Sequence, residues 1–269
     1  MGSGDAVPLL ALHGGPGIPH NYLEPLVGLA NECPIVFYDQ LGCGKSDRPF
    51  DLTLWRVERF VEELGQVRKA LNLEQVHILG HSWGSMLAVD YALTQPLGLV
   101  SLILASPCLS VPRWIEDVTI HKKQLPIEEQ EVIDRHETAG TTDSEEYEEA
   151  VMVFYHRYLC RLDPWPAVLE HSLAGAGWEV YHTMWGPSEF FVTGNLKNYD
   201  RTSCLHEISI STLFTCGRYD EALPKTTAGY QSLIPGAKLV IFEQSSHMPH
   251  LEEKERYLQV VGEFLNKVE

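Results

Sequence analysis

The segment LGHSWGSM, residues 79–86, places a single serine, Ser82, between two glycines directly after an apolar run. The run VHILG, residues 76–80, has the length and character of a buried strand, and residues 85–94 have the composition of a helix. Ser82 therefore lies on a predicted strand-to-helix turn, where flanking glycines allow the backbone to turn sharply and expose the hydroxyl. In this context the pattern predicts a nucleophilic serine.

Short apolar runs alternate with longer amphipathic segments on both sides of this turn. The alternation predicts an α/β fold with a mainly parallel sheet and helices on both of its faces. The predicted strands lie within residues 8–14, 34–40, 76–80, 99–107, 211–221 and 237–247. Helices are predicted near residues 22–31, 54–71, 85–94 and 252–267.

The alternation stops at Pro112 and resumes near Ser211. Acidic segments between them, such as residues 144–159, have helical character, with Thr142 or Asp143 predicted as the N-cap. We interpret this region as a helical insertion that forms a cap. The predicted segments are a first part of the core (1–111), the cap (112–201) and a second part of the core (202–269).

Composition limits the possible functions. The net charge is −17 over 269 residues and no block is rich in lysine or arginine, which argues against nucleic-acid or anionic-membrane partners. The sequence has no apolar run near 20 residues and no leader peptide, so we expect a cytoplasmic protein. Its six cysteines form no C-x-x-C pair, which favours reduced thiols and no metal site.

A serine nucleophile needs a base to take its proton and an acid to orient that base. In this architecture the partners follow the serine in the order acid, then histidine, each directly after a later strand. Asp220 in CGRYDE and His247 after VIFEQSS occupy such positions. We predict a triad of Ser82, Asp220 and His247, with Glu221 as the alternative acid and His250 as the alternative base. No cofactor or metal is expected.

The segment HGGPG, residues 13–17, follows the first predicted strand. Its three glycines allow backbone N–H groups to point into a site, where they can form an oxyanion hole with the N–H that follows the nucleophile. We predict Gly15 and Trp83 as these donors, with Gly14 as the alternative to Gly15.

Six ordered motifs together resemble the proline iminopeptidase branch of the α/β hydrolases. They are HGGPG (13–17), YDQLGCGKSDRP (38–49), GHSWGS (80–85), MWGPSEF (184–190), CGRYDE (216–221) and SSHMPHLE (245–252). The resemblance implies an α/β-hydrolase fold with a helical cap. It also implies removal of an unblocked N-terminal residue, often proline, from short peptides, or hydrolysis of amino-acid amides.

The resemblance further implies that Glu189 and Glu221 bind the α-amine of the substrate. An ammonium group offers only donors, and carboxylates supply acceptors and opposite charge, so the chemistry agrees. Aromatic residues of the insertion either wall an apolar site or pack in the cap core: Trp165, Trp178, Trp185, Phe190 and Phe191. The alternatives are a carboxylesterase on the same scaffold, which would ignore the amine, and a ligand-binding protein without turnover.

The sequence departs from this family in two places. Many relatives carry glutamine where His81 stands, and we expect His81 to be a hydrogen-bonding or packing residue rather than a base. Relatives also have about two strands before HGGPG, where this sequence has only a handful of residues. We therefore expect the N-terminal strands to be shortened or missing and one sheet edge to be exposed. The oligomeric state is left open by the sequence.

Overall fold

Six parallel strands form one sheet in the computed structural model, which describes residues 6–268. The strands are β1 (Leu9–Leu12), β2 (Ile35–Phe37), β3 (Val76–His81), β4 (Leu99–Ala105), β5 (Ser211–Gly217) and β6 (Lys238–Phe242). Their order across the sheet is β2-β1-β3-β4-β5-β6. The predicted parallel sheet is confirmed, and most of its strands are shorter than the predicted ranges.

Helices flank the sheet. Those of the core are α1 (Val57–Ala70), α2 (Trp83–Leu93), α8 (Pro224–Leu233), α9 (Pro249–Glu252) and α10 (Lys254–Val268). Between β4 and β5 lie α3 (Val111–Lys122), α4 (Ile127–Ala139), α5 (Glu145–Tyr158), α6 (Ala167–Ala174) and α7 (Trp178–Met184). Short 3-10 helices span His20–Leu29, Leu52–Leu54, Asn195–Asn198 and Leu205–Glu207. Within the described residues, none of the helices is long and apolar enough to cross a membrane.

Two predicted details differ in the structure. The helix predicted near residues 22–31 is a 3-10 helix with Pro25 inside it, and proline cannot donate the backbone hydrogen bond that an α-helix needs at that point. Helix α5 is capped by Ser144, whose side chain accepts the N–H of Tyr147. The prediction of Thr142 or Asp143 as the N-cap was therefore wrong, because Ser144 directly precedes the first helical turn.

Side chains of the sheet are buried on both faces. In β1, Leu10 and Leu12 belong to one hydrophobic cluster, whereas Leu9 and Ala11 belong to a second. Successive side chains of a strand point to opposite faces, so the two clusters lie on opposite sides of the sheet. This double burial explains why the strands are continuous apolar runs rather than alternating ones.

Strand β2 lies at one edge of the sheet, where the described residues pair it only with β1. The described sheet therefore ends on this side at β2, a strand of three residues. The expectation of shortened or missing N-terminal strands concerns residues that include 1–5. Residues 1–5 lie outside the described part of the chain. The division of the chain into core and cap stays a prediction, although α3 begins at Val111, next to its predicted boundary.

Candidate active site

Ser82 lies between the end of β3 at His81 and the start of α2 at Trp83. Its backbone has φ of 54° and ψ of −121°. Residues other than glycine rarely adopt this conformation, because it costs free energy. Two hydrogen bonds fix this turn: Ser82 N–H donates to Ala105 O at 3.0 Å, and Ser82 O accepts from Ser85 N–H at 2.8 Å. The Ser82 side chain is partly accessible and lines a cavity.

The two glycines around Ser82 are required by close packing. A Cβ atom on Gly80 would overlap the carbonyl oxygen of Gly84. A Cβ atom on Gly84 would in turn overlap the carbonyl oxygen of Leu12 in β1. The glycines therefore allow the turn to pack directly against the sheet, which exposes the serine at its tip.

Asp220 and His247 form a buried pair. His247 Nδ1 lies 2.7 Å from Asp220 Oδ1, and Asp220 Oδ2 accepts the N–H of Gly217 at 3.3 Å. Asp220 follows β5 and His247 follows β6, as predicted. Burial alone would lower the pKa of His247, but the carboxylates of Asp220, Glu221 and Glu189 together raise it to about 9.

Glu221 contacts the other nitrogen of the same ring. Its Oε2 lies 3.6 Å from His247 Nε2, its side chain is 1% exposed, and neither carboxylate oxygen accepts a hydrogen bond within the described chain. Burial is the largest influence on the pKa of Glu221 and raises it well above its usual range. Among the described residues, Ser82 Oγ makes no hydrogen bond to His247. The structure thus places both acidic residues against the His247 ring.

Glu189 lines the same cavity and is partly accessible. The hydroxyl of Tyr181 donates to its Oε1 at 2.5 Å, and burial raises its pKa. The Nε1–H of Trp114 donates to the backbone oxygen of Glu189 at 2.9 Å, which holds this segment in place. Sequence reasoning missed Tyr181 and Trp114, because both contacts depend on how the insertion packs.

The two glycines of the first loop differ in their backbone N–H groups. Gly14 N–H donates to the Tyr22 hydroxyl at 2.7 Å. Gly15 N–H makes no hydrogen bond within the described chain, and its φ of +107° is one that favours glycine. Trp83 is the first residue of α2, so its N–H has no intrahelical acceptor. The geometry therefore favours Gly15 over Gly14 as a donor beside Trp83.

His81 takes part in a polar chain that sequence reasoning did not find. Its Nε2 lies 2.9 Å from the carbonyl oxygen of His247, and its Nδ1 lies 2.9 Å from the Tyr22 hydroxyl. A carbonyl only accepts, so Nε2 carries the hydrogen and Nδ1 accepts from Tyr22, whose oxygen accepts from Gly14. The Ser106 hydroxyl donates to the same His247 oxygen at 2.9 Å. Burial lowers the pKa of His81, which remains a neutral hydrogen-bonding residue.

Two further histidines near the site are also engaged elsewhere. His250, the alternative base, donates from Nε2 to the backbone oxygen of Tyr22 at 3.1 Å, and burial lowers its pKa to about 3. His13 accepts the N–H of Gln40 at 2.9 Å, and burial lowers its pKa to about 4. Gln40 in turn accepts from Trp83 Nε1 at 2.8 Å, which links the glycine loop to the start of α2. The geometry favours His247 over His250 as the base.

The cavity has a volume of about 920 Å³ and brings Ser82, His247, Glu189 and Glu221 to one space. Of the five aromatic residues singled out in the insertion, three line it: Trp165, Trp178 and Phe191. The other two, Trp185 and Phe190, are buried in the hydrophobic core. Within residues 6–268, no group of three or more histidine, cysteine, aspartate or glutamate side chains could hold a metal ion.

Known proteins share the fold and much of the sequence of this chain. A family model described as alpha/beta hydrolase fold matches residues 7–254. The proline iminopeptidase of Heyndrickxia coagulans is 54% identical over 267 residues, which cover 99% of this chain and 93% of that protein. The crystal structure of the proline iminopeptidase from Mycobacterium smegmatis is 39% identical, with a TM-score of 0.91, and the match covers 99% of this chain and 91% of that one. The crystal structure of VinJ is 36% identical, with a TM-score of 0.97, and the match covers 100% of this chain and 93% of that one. The chain therefore belongs to the proline iminopeptidase family of the α/β hydrolases.

Proposed function

We propose that the protein is a serine aminopeptidase that removes an unblocked N-terminal residue, with proline favoured, from short peptides or amino-acid amides. One observation carries the proposal. Glu189 and Glu221 line the same cavity as Ser82 and His247, so two acceptors for a cation lie beside a candidate nucleophile and its base.

The two glutamates match the chemistry of a free N-terminus. A protonated prolyl nitrogen carries two N–H donors and a positive charge, whereas carboxylates only accept. Both oxygens of Glu221 are buried without a hydrogen-bond donor, which is costly for a carboxylate, and a bound ammonium group removes that cost. An N-acylated substrate has no such cation and leaves the Glu221 oxygens without a hydrogen-bond donor. Recognition of the amine therefore supplies specificity for an unblocked residue.

The proposed reaction proceeds through an acyl-enzyme. The Ser82 oxygen attacks the first carbonyl carbon of the substrate while His247 Nε2 takes the hydroxyl proton, and Asp220 orients the imidazole through Nδ1. The N–H groups of Gly15 and Trp83 stabilise the negative oxygen of the tetrahedral intermediate. His247 then gives the proton to the leaving nitrogen as the carbon–nitrogen bond breaks. Water, deprotonated by His247, hydrolyses the ester and regenerates Ser82.

We also propose that residues 112–201 act as a cap that limits what reaches Ser82. This region contributes Tyr155, Tyr181 and Glu189 to the cavity, so it supplies part of the amine site. The cavity of about 920 Å³ has room for more than one amino-acid residue, as cleavage of a peptide requires. Short peptides and amides are therefore substrates that fit a cavity of this size.

The test compares kcat/KM for prolyl 4-nitroanilide, alanyl 4-nitroanilide and N-acetylprolyl 4-nitroanilide. We expect the free prolyl substrate to exceed the acetylated one by at least about a hundredfold, since a buried charge pair is lost with the amine. Ser82→Ala should abolish turnover while the circular dichroism spectrum stays unchanged. Glu189→Gln should lower kcat/KM for the prolyl substrate, and Glu149→Gln, at an exposed position outside the cavity lining, is the matched control.

Two outcomes would contradict the proposal. Equal rates on the free and acetylated substrates would indicate an esterase or amidase that does not read the amine. Binding of prolyl amides without any turnover would indicate a ligand-binding protein.

A further inference from the structure

The position of His247 Nε2 raises a question about the resting enzyme. This nitrogen has to accept the proton of Ser82, yet within the described chain Ser82 Oγ makes no hydrogen bond to it. The acidic group that faces it is the carboxylate of Glu221, whose Oε2 lies 3.6 Å away. Within the described chain, Glu221 rather than Ser82 is therefore the group paired with this nitrogen.

We propose that Glu221 holds His247 in an ion pair when no substrate is bound, and that the ammonium group of the substrate releases His247 by pairing with Glu221. The inference rests on the proposed function, because the releasing cation is the N-terminal amine of the substrate. Glu221 thereby makes the amine a condition for the chemical step as well as for binding.

The surroundings of Glu221 support this role. The side chain is 1% exposed, and neither oxygen has a hydrogen-bond donor within the described residues. An imidazolium at His247 is then the cation that offsets its charge, and the attraction is strong because water is excluded. Burial raises the pKa of Glu221, and the positive charge of His247, 3.6 Å away, opposes that rise. The carboxylates around His247 in turn raise its pKa to about 9. The ionised carboxylate and the protonated ring thus stabilise each other, and a protonated ring cannot accept the proton of Ser82.

A bound ammonium group reverses this situation. It places N–H donors on the oxygens of Glu221 and adds a positive charge beside His247. Both effects favour the neutral imidazole, because a nearby positive charge disfavours a second one. His247 Nε2 can then accept the proton of Ser82. A substrate that lacks the amine leaves the ion pair between Glu221 and His247 in place. Such a substrate should therefore have a lower kcat as well as a higher KM.

Glu189 provides a matched comparison within the same cavity. It also lines the site, but its Oε1 already accepts a hydrogen bond from Tyr181 at 2.5 Å. The described residues include no ion pair between Glu189 and His247 within 4.0 Å, whereas Glu221 has one at 3.6 Å. Removing the charge of either residue weakens amine binding, but only removal of Glu221 takes away the contact to Nε2.

The experiment measures how fast Ser82 reacts with methanesulfonyl fluoride, a small neutral reagent without an amine. The Ser82 oxygen displaces fluoride from sulfur, the hydroxyl proton goes to His247, and the serine is left as a sulfonate ester. Second-order rate constants are compared at neutral pH for wild type, Glu221→Gln and Glu189→Gln, each with and without dimethylammonium chloride. Sodium chloride at equal ionic strength is the control for screening. Thermal unfolding verifies that each variant is folded.

We expect Glu221→Gln to react at least about tenfold faster than wild type, since one charge pair is removed from His247. Dimethylammonium should accelerate wild type several-fold and should leave Glu221→Gln unaffected. In the absence of the cation, Glu189→Gln should be accelerated less than Glu221→Gln, because the Glu189 carboxylate raises the pKa of His247 but makes no ion pair with its Nε2 within the described chain. Equal rates for wild type and Glu221→Gln, or acceleration of Glu189→Gln alone, would overturn the inference. Because sulfonylation does not depend on peptide cleavage, this result is independent of whether prolyl substrates are turned over.

Discussion

The Nε2 atom of His81 lies 2.9 Å from the backbone carbonyl oxygen of His247. His81 directly precedes Ser82, so this single hydrogen bond joins the nucleophile turn to the segment that carries the predicted base. Through Tyr22 the same chain continues to the N–H of Gly14. Three segments that are distant in the sequence are therefore held by one buried polar chain.

Replacing His81 tests this connection. His81→Leu removes the hydrogen bond that the Tyr22 hydroxyl donates and one of the two that the His247 carbonyl accepts. We expect the free energy of unfolding to fall by about 1–3 kcal/mol. We also expect kcat to fall by about ten- to a hundredfold, because small displacements of reacting groups are costly. His81→Gln, which keeps a donor and an acceptor, should retain kcat within about threefold. Steady-state kinetics and urea unfolding measure both effects. Wild-type kcat in His81→Leu would show that the chain has no positioning role.

The pKa of His247 predicts a pH profile. A base that must be neutral, with a pKa raised to about 9, loses activity as the pH falls through that value. The substrate amine must stay protonated, and its pKa is about 8, so kcat/KM should form a narrow bell with its maximum between about pH 8 and 9. In Glu221→Gln one raising influence is absent, so the acidic limb should move to lower pH. An acidic limb near pH 6.5 in wild type would contradict this expectation.

The charges that line the cavity predict a preference among leaving groups. Four carboxylate side chains line the cavity, namely Asp143, Glu148, Glu189 and Glu221. Within the described chain, no lysine or arginine lines it. The free carboxylate of a dipeptide has no cationic partner there, so kcat/KM for Pro-Leu should be about tenfold below that for Pro-Leu amide. Glu148→Gln should reduce this ratio, whereas Glu149→Gln, whose side chain is exposed outside the lining, should not. Equal kcat/KM values for Pro-Leu and Pro-Leu amide would show that the cavity carboxylates do not repel the free carboxylate of a dipeptide.

Two glycines in helices predict opposite changes in stability. A Cβ on Gly84 would overlap the Leu12 carbonyl oxygen, so Gly84→Ala should lower the free energy of unfolding by about 2–3 kcal/mol. Gly229 lies inside α8, and apart from the backbone of that helix a Cβ there would meet no described atom within 4 Å. Gly229→Ala should therefore raise the free energy of unfolding by about 0.5–1 kcal/mol. Denaturant titrations of both variants measure the difference. A stable Gly84→Ala protein with full activity would show that the turn does not need close packing.

The sequence predicted the sheet because each strand is an apolar run, and it predicted the positions of Asp220 and His247 because each follows such a run. Local patterns of this kind depend on neighbours in the chain. The contacts of His81 with Tyr22 and with the His247 carbonyl had no such signal, since they join residues 59 and 166 positions apart. The cap of α5 was misplaced by one or two residues because Thr142, Asp143 and Ser144 all suit an N-cap.

Strands β4 and β5 pair directly in the sheet, with Ser101 opposite Ser211, although residues 106–210 separate them in the chain. The entropy of closing a loop grows only slowly with its length, by about 0.6 kcal/mol for each doubling. The sheet therefore loses little stability by carrying the helices between these strands. Residues 106–210 can therefore change in length or sequence during evolution while the strands that precede Ser82, Asp220 and His247 stay in register. Substrate range and cleavage chemistry can thus diverge at different rates in descendants of one gene.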